Sequence, residues 1–278
     1  MRRALLALAV CGALLSGSSA AVQAAPGPVV RAYPYGPHPR QTVAVYGPSG
    51  ERRPALVIVH GGYWAEDTDW SSQARWFAER GFTVYDSDYR LNSDARWPAQ
   101  RADLLAALRW VSARHGGAPP LVVGSSAGGQ IATVTGAYGA GRTRVRGVVA
   151  LSPVATPYRA WADGARPKAR PEQRRLRREA RELAGCDPDK GGRKCWEQWG
   201  DMAARTHASG SEDAPLLLVH SARDFVPPAH SADVAAAQRV AGGRDVTVRV
   251  ERGAAHGGAL LESAKVRKAV LGWLRARA

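Results

Sequence analysis

Short apolar runs alternate with stretches of helical periodicity along most of this chain, and that alternation narrows its folds more than any other feature. Residues 42–46, 55–60, 82–85, 121–124, 145–151, 215–220 and 246–250 read as strands. Several of them are continuous apolar runs, the pattern of strands covered on both faces. Between them, 71–80, 99–115, 127–138 and 231–240 read as helices, and 259–277 reads as a closing helix. Leu104, Leu105, Leu108 and Val111 fall on one helical face. Strand, helix and strand in turn predict an α/β fold: a mostly parallel sheet with helices on both faces. The 278 residues accommodate one such domain, and 45% hydrophobic with 23% charged residues excludes a disordered or fibrous chain.

Two segments break the alternation. At the start, Met1-Arg2-Arg3 precedes an apolar run from Ala4 to Leu15 and then small residues, the order of a secretory signal peptide. Val22-Gln23-Ala24 puts small residues at −3 and −1, so cleavage is expected near Ala24, with Ala20 or Ala21 as alternatives. The run is shorter than the roughly 20 residues of a membrane span. Leu8-Ala9-Val10-Cys11 matches a lipoprotein box only faintly, so a lipid anchor is not expected. The expected organisation is residues 1–24 as signal, 25–40 as an extended lead-in, and 41–278 as the domain. Residues 152–214 form an insertion between the strands at 145–151 and 215–220, over the sheet edge where α/β proteins place their sites. Outside the signal, Cys186 and Cys195 are an even pair, and in an exported protein such a pair predicts a disulfide. No further Cys or His stands at ligand spacing beside them, so no metal is expected.

The chemistry-bearing motif is Gly124-Ser125-Ser126-Ala127-Gly128. It follows a predicted strand and opens a predicted helix, and Ser126 is its central residue. Such a turn pushes a nucleophilic oxygen into a site, and flanking glycines let strand and helix pass closely. Ser125 fails the spacing test as nucleophile. His60-Gly61-Gly62-Tyr63-Trp64 follows another buried strand. Its glycines let the backbone turn N–H groups toward a developing oxyanion, with the N–H groups of Gly62, Tyr63 and Ala127 as expected donors. Trp64 and Ser125 are candidate pocket residues, though Tyr63 and Trp64 are equally readable as packed.

His256, in a small-residue loop between the last strand and the final helix, is the expected general base. His60 reads as a brace and His220 as packed, while His38, His115, His207 and His230 lie in exposed-looking stretches. Asp224, just past a strand, is the expected acid that holds the imidazole.

With these residues in hand, the chain resembles the α/β-hydrolase superfamily over nearly all of 40–278. The order Ser126, Asp224, His256 is the order of that superfamily. The loop His60-Gly61-Gly62-Tyr63-Trp64 is similar to the H-G-G-x-W loop of arylformamidases and related small bacterial esterases. Asp88-Tyr89-Arg90-Leu91 and Trp97-Pro98-Ala99-Gln100 resemble the segments before the elbow in that branch, where Asp88 and Arg90 would brace rather than react. The resemblance implies an α/β-hydrolase fold and a serine hydrolase working through an acyl-enzyme, without metal or cofactor. The family's acid turn often reads D-x-x-V-P. Here Asp224-Phe225-Val226-Pro227 is one residue shorter, which leaves Asp213 as the alternative acid.

Charge bears on partners. Lys+Arg is 39 against Asp+Glu 24, a net +15. Only Lys168, Lys190, Lys194, Lys265 and Lys268 are lysines, so arginine dominates. Basic residues crowd 166–194, inside the insertion. A solvated helix face accounts for them, as does attraction to anionic cell-wall polymers; a coding sequence rich in G and C accounts for arginine generally. No nucleic-acid motif is visible. The expected function is an exported carboxylic-ester hydrolase acting on small acyl esters or acylated polysaccharide. The alternatives are an arylformamidase-like amidase and an inactive binding protein on the same fold. Acyl specificity and oligomeric state are not read from the sequence.

Overall fold

The structure is a computed structural model that describes residues 30–48 and 53–278. The expected signal peptide lies outside the described residues, as does the start of the lead-in. Eight strands form one sheet: β1 (Arg31–Pro34), β2 (Thr42–Tyr46), β3 (Ala55–Val59), β4 (Thr83–Ser87), β5 (Leu121–Ser125), β6 (Gly147–Leu151), β7 (Leu216–Ser221) and β8 (Val246–Glu251). Their order is β1-β2-β4-β3-β5-β6-β7-β8. The β1–β2 and β2–β4 pairs are antiparallel, and every other pair is parallel. β1 falls within the expected lead-in. Its residues Arg31, Ala32 and Pro34 are exposed, so no apolar pattern marked it as a strand.

All residues of β3, β5, β6 and β7 are buried. The period of two divides each strand between two cores. Val57 and Val59 face one layer with Val122, Leu104, Leu108 and Ile131. Leu56 and Ile58 face the other with Val123, Phe77, Val270 and Leu274. Helices α1 (Ser71–Ala78), α2 (Ala99–Ala113) and α3 (Ser126–Ala137) pack on these faces, followed by α4 (Pro157–Asp163), α5 (Pro171–Ala184) and α6 (Gly192–Asp201) of the insertion. The last two are α7 (Ala229–Val240) and α8 (Ala264–Arg275).

The closing helix is shorter than expected. A 3₁₀ turn at Gly257–Glu262 precedes α8, separated from it by an extended Ser263 at φ −73°, ψ 120°. Gly257, which opens that 3₁₀ turn, is left-handed at φ 56°, and its N–H is held by Ser152. The carboxyl ends of the parallel strands lead directly into 60–64, 126, 152, 224 and 256, which gathers the motif residues along one sheet edge.

Candidate active site

Ser125 ends β5 in extended backbone, and Ser126 begins α3 at φ 51°. A side chain in the left-handed region is strained, and such strain concentrates at functional turns. The flanking glycines are steric necessities. A Cβ on Gly124 would lie 2.6 Å from the Gly128 carbonyl oxygen, and one on Gly128 would lie 2.1 Å from that of His60. Helix α3 therefore crosses the end of β3 closer than any side chain permits. Its amino end carries roughly half a positive charge, directed at Ser126 and Ala127.

The loop after β3 has three successive left-handed residues: Gly62 at φ 98°, Tyr63 at 58° and Trp64 at 60°. The Gly62 carbonyl accepts the N–H groups of Ala65 at 2.9 Å and Glu66 at 3.0 Å. Gly61 lies against the elbow, since a Cβ there would be 3.3 Å from the Ser126 Cβ. His60 is a brace, as expected. Its Nδ1 lies 2.7 Å from the Gly61 oxygen and its Nε2 3.1 Å from Asp88 Oδ1. Burial opposes its protonation, but the Asp88 hydrogen bond, the Asp67 charge and the Gly61 carbonyl outweigh that and raise its pKa. Tyr89 stacks on His60 at 4.3 Å and donates to the His60 carbonyl at 3.1 Å. Arg90 holds Asp103 with both its Nε and an outer nitrogen, also as a brace.

Trp64 and Ser125, the candidate pocket residues, are both buried. Trp64 is fully buried and donates to Gln130 Oε1 at 3.0 Å, which makes it the packed residue of the loop. Ser125 is 4% exposed, and a Cβ on Gly257 would come within 2.5 Å of its Oγ. Ser125 is thus the spacer on which the histidine loop rests.

Asp224 and His256 meet. His256 Nδ1 lies 2.8 Å from Asp224 Oδ1, and the aspartate side chain is entirely buried. The carboxylate also accepts the Val226 N–H at 3.1 Å and the Ser152 hydroxyl at 2.5 Å. With Nδ1–H given to a carboxylate, Nε2 is left with the lone pair. Phe225 packs on the imidazole at 4.1 Å. The shorter acid turn therefore still delivers its aspartate. Asp213 instead binds the Ser209 and Gly210 backbone of its own turn.

The other histidines sit elsewhere. His220 contacts the Val226 carbonyl and, at 2.7 Å, Ser231 Oγ; burial pulls its pKa down to about 4. His115 and His230 are buried rather than exposed, beside the Tyr85 hydroxyl and the Thr156 N–H respectively.

Helix α5 borders this edge. Arg175 pairs with Glu66 at 2.8 Å and lies 4.2 Å over the Tyr63 ring. Gln173 donates to the Phe225 carbonyl at 3.0 Å, and Arg170 to that of Arg223 at 3.2 Å. Tyr63 and Phe225 are nearly parallel at 6.2 Å. The Cys186–Cys195 disulfide is present and ties the end of α5 to α6. Tyr89, Ser152, Phe225 and Arg175 were not singled out as site residues. Tyr89 and Phe225 stand inside segments singled out for Asp88, Arg90 and Asp224, and Ser152 is a Ser-Pro step directly after a buried strand.

Among the described residues, one group has donor atoms spaced for a metal: His60, Asp67 and Asp88, all within 4.8 Å of one another. Asp88 is already engaged by Arg40 and by the Tyr89 N–H.

A parallel sheet with a serine on a strained strand-to-helix elbow, and an Asp–His pair on the loops after two later strands, defines a hydrolase-type α/β architecture. The chain belongs to the alpha/beta hydrolase fold family, whose model matches residues 56–260. No match is found among curated proteins. Solved structures are similar in fold. Esterase B from Lactobacillus rhamnosis is 21% identical, over 89% of this chain and 84% of its own, with a TM-score of 0.69. A truncated carbohydrate esterase from gut microbiota is 16% identical, over 89% and 96%, with a TM-score of 0.71. A thermophilic esterase from the Planctomycetes species Thermogutta terrifontis is 23% identical, over 89% and 92%, with a TM-score of 0.67.

Proposed function

We propose that the protein is an exported serine hydrolase of carboxylic esters. The observation that carries this reading is the 2.8 Å contact from His256 Nδ1 to a buried Asp224, on the same sheet edge as a strained Ser126. Ser126 Oγ attacks the ester carbonyl while His256 Nε2 takes its proton. The same proton goes to the departing alcohol, leaving an acyl-Ser126 ester. Water then attacks with His256 as base, releases the acid and restores the serine. The N–H groups of Gly62, Tyr63 and Ala127 hold the oxyanion, and the positive end of α3 adds to them. Asp224 keeps the imidazole in one tautomer and stabilises the imidazolium.

Ester rather than amide chemistry is supported by the names of the structural neighbours, including an acetyl ester-xyloside hydrolase. Acetylated or otherwise acylated polysaccharide is the extracellular substrate class that fits the signal-like start. The arylformamidase-like alternative rests on the His60–Trp64 loop. Mature protein and Ser126→Ala, incubated with p-nitrophenyl acetate, p-nitrophenyl butyrate and formylkynurenine, decide between them. Ester turnover by the native protein only, faster than deformylation, is expected. Formylkynurenine cleaved far faster than either ester replaces the reading with the amidase, and equal rates from Ser126→Ala remove both.

A further inference from the structure

We infer that Ser152 is a positioning residue for this reaction, its hydroxyl fastening the acid and base loops to the end of β6. The inference rests on the reading of Ser126, Asp224 and His256 given above.

Ser152 is fully buried, so it touches no substrate. Its backbone is left-handed at φ 49°, a conformation that costs a non-glycine residue about 1 kcal/mol. The Ser152 N–H donates to the Val219 carbonyl at 2.7 Å, which anchors it between β6 and β7. From that anchor the hydroxyl bonds in both senses. It donates to Asp224 Oδ2 at 2.5 Å and accepts the Gly257 N–H at 3.0 Å.

The division of the Asp224 oxygens is what makes this arrangement informative. Oδ1 serves His256 and the Val226 N–H, and Oδ2 is served by Ser152. Gly257 directly follows the base. One side chain thus grips the acid from behind and the residue next to the base. Two residues on, the Val154 N–H donates to the Ser126 carbonyl at 3.1 Å. The tripeptide Ser152-Pro153-Val154 therefore connects all three loops that carry the proposed triad.

Few side chains fit this task. It needs a donor to a carboxylate and an acceptor for an N–H on one atom, at a fully buried position. Without the hydroxyl, Asp224 Oδ2 and the Gly257 N–H are both buried and unpartnered, the costly outcome for polar groups. The carboxylate then keeps only its Oδ1 bonds, to His256 and the Val226 N–H, and its plane is no longer fixed behind the imidazole. The loss falls on the chemical step and not on substrate binding.

Ser152→Ala and Ser152→Gly both remove the hydroxyl but treat the backbone oppositely, since glycine relieves the left-handed strain and alanine retains it. Both are assayed with p-nitrophenyl acetate, with competent sites counted by stoichiometric fluorophosphonate titration. We expect kcat per titrated site to fall about tenfold or more in both, with KM within about twofold. If the alanine variant does not fold, the glycine variant carries the test. A native kcat per titrated site in either variant overturns the inference. So does a loss carried by KM, or a defect in the alanine variant that glycine abolishes, since both variants lack the hydroxyl. Ser126→Ala in the same assay keeps the two readings apart. If that variant is silent while the Ser152 variants run at full rate, only this inference falls; if it retains activity, the functional reading falls and this inference with it.

Discussion

The sheet edge and the basic insertion lie against each other but are held by different physics. At the edge, position is set by backbone. Gly124 and Gly128 stand where any Cβ would collide with a carbonyl, and Tyr63, Trp64, Ser126 and Ser152 hold left-handed backbone. In the insertion, position is set by adaptable side chains. Arg175 pairs with Glu66 and covers Tyr63, and Arg177 lies 3.7 Å over Trp161. Arg178 and Arg181 each pair with the next residue, Glu179 and Glu182. Such part-exposed pairs contribute about 0–1 kcal/mol each. Edge residues should therefore be nearly irreplaceable, while residues of the insertion can change singly at little cost.

The largest contrast is expected at Asp224. Asp224→Asn keeps the shape but favours the wrong imidazole tautomer, and kcat should fall by about 10⁴-fold. Steady-state kinetics on a small ester, with thermal melts as control, measures this. A loss below tenfold would place the acid elsewhere and break the contrast at its strongest point. Next is Gly128→Ala, whose methyl would meet the His60 and Val59 carbonyls at 2.1 and 2.2 Å. Denaturant unfolding should show a loss of about 3 kcal/mol or more, or no folded protein.

The paired change Cys186→Ser with Cys195→Ser opens a link spanning a sequence separation of 9. Loop entropy sets its cost at about 2–3 kcal/mol, with hydrolysis of p-nitrophenyl acetate changed less than about threefold. A loss of activity as large as that of Asp224→Asn would show that the insertion builds the reacting geometry rather than bordering it. Smallest is Arg178→Gln with Arg181→Gln. Their ion pairs are local, so stability should shift by less than about 1 kcal/mol and small-ester hydrolysis hardly at all. Retention on an anionic resin, compared before and after, reads whether these charges serve a polymer. Unchanged retention leaves them a solvated helix face.

The same division explains what could be read from residues alone. The buried strands were visible because each is an unbroken apolar run, and the elbow because its glycines have no substitutes. That His256 and Asp224 would meet followed from their places after strands. β1 was missed because it is an exposed edge strand whose pairing comes from β2 and not from its own pattern. Trp64 was readable either way; its burial depends on Gln130, 66 residues distant. The arginines of α5 looked like a charged face. Their partners (the Trp161 carbonyl for Arg177, the Tyr63 ring and Glu66 for Arg175) are set by how the insertion folds back on the domain. Ser152 escaped notice for the same reason, because its role depends on two loops that come 72 and 105 residues later.

The account turns on one atom, Ser126 Oγ. Labelling the native protein with a fluorophosphonate, digesting it and locating the adduct by mass spectrometry tests that atom directly. A single phosphonyl group is predicted on the peptide carrying Ser126, with ester hydrolysis lost in proportion to its occupancy and no adduct in Ser126→Ala. An adduct on Ser125 or another serine, or undiminished hydrolysis with Ser126 fully labelled, would contradict the account.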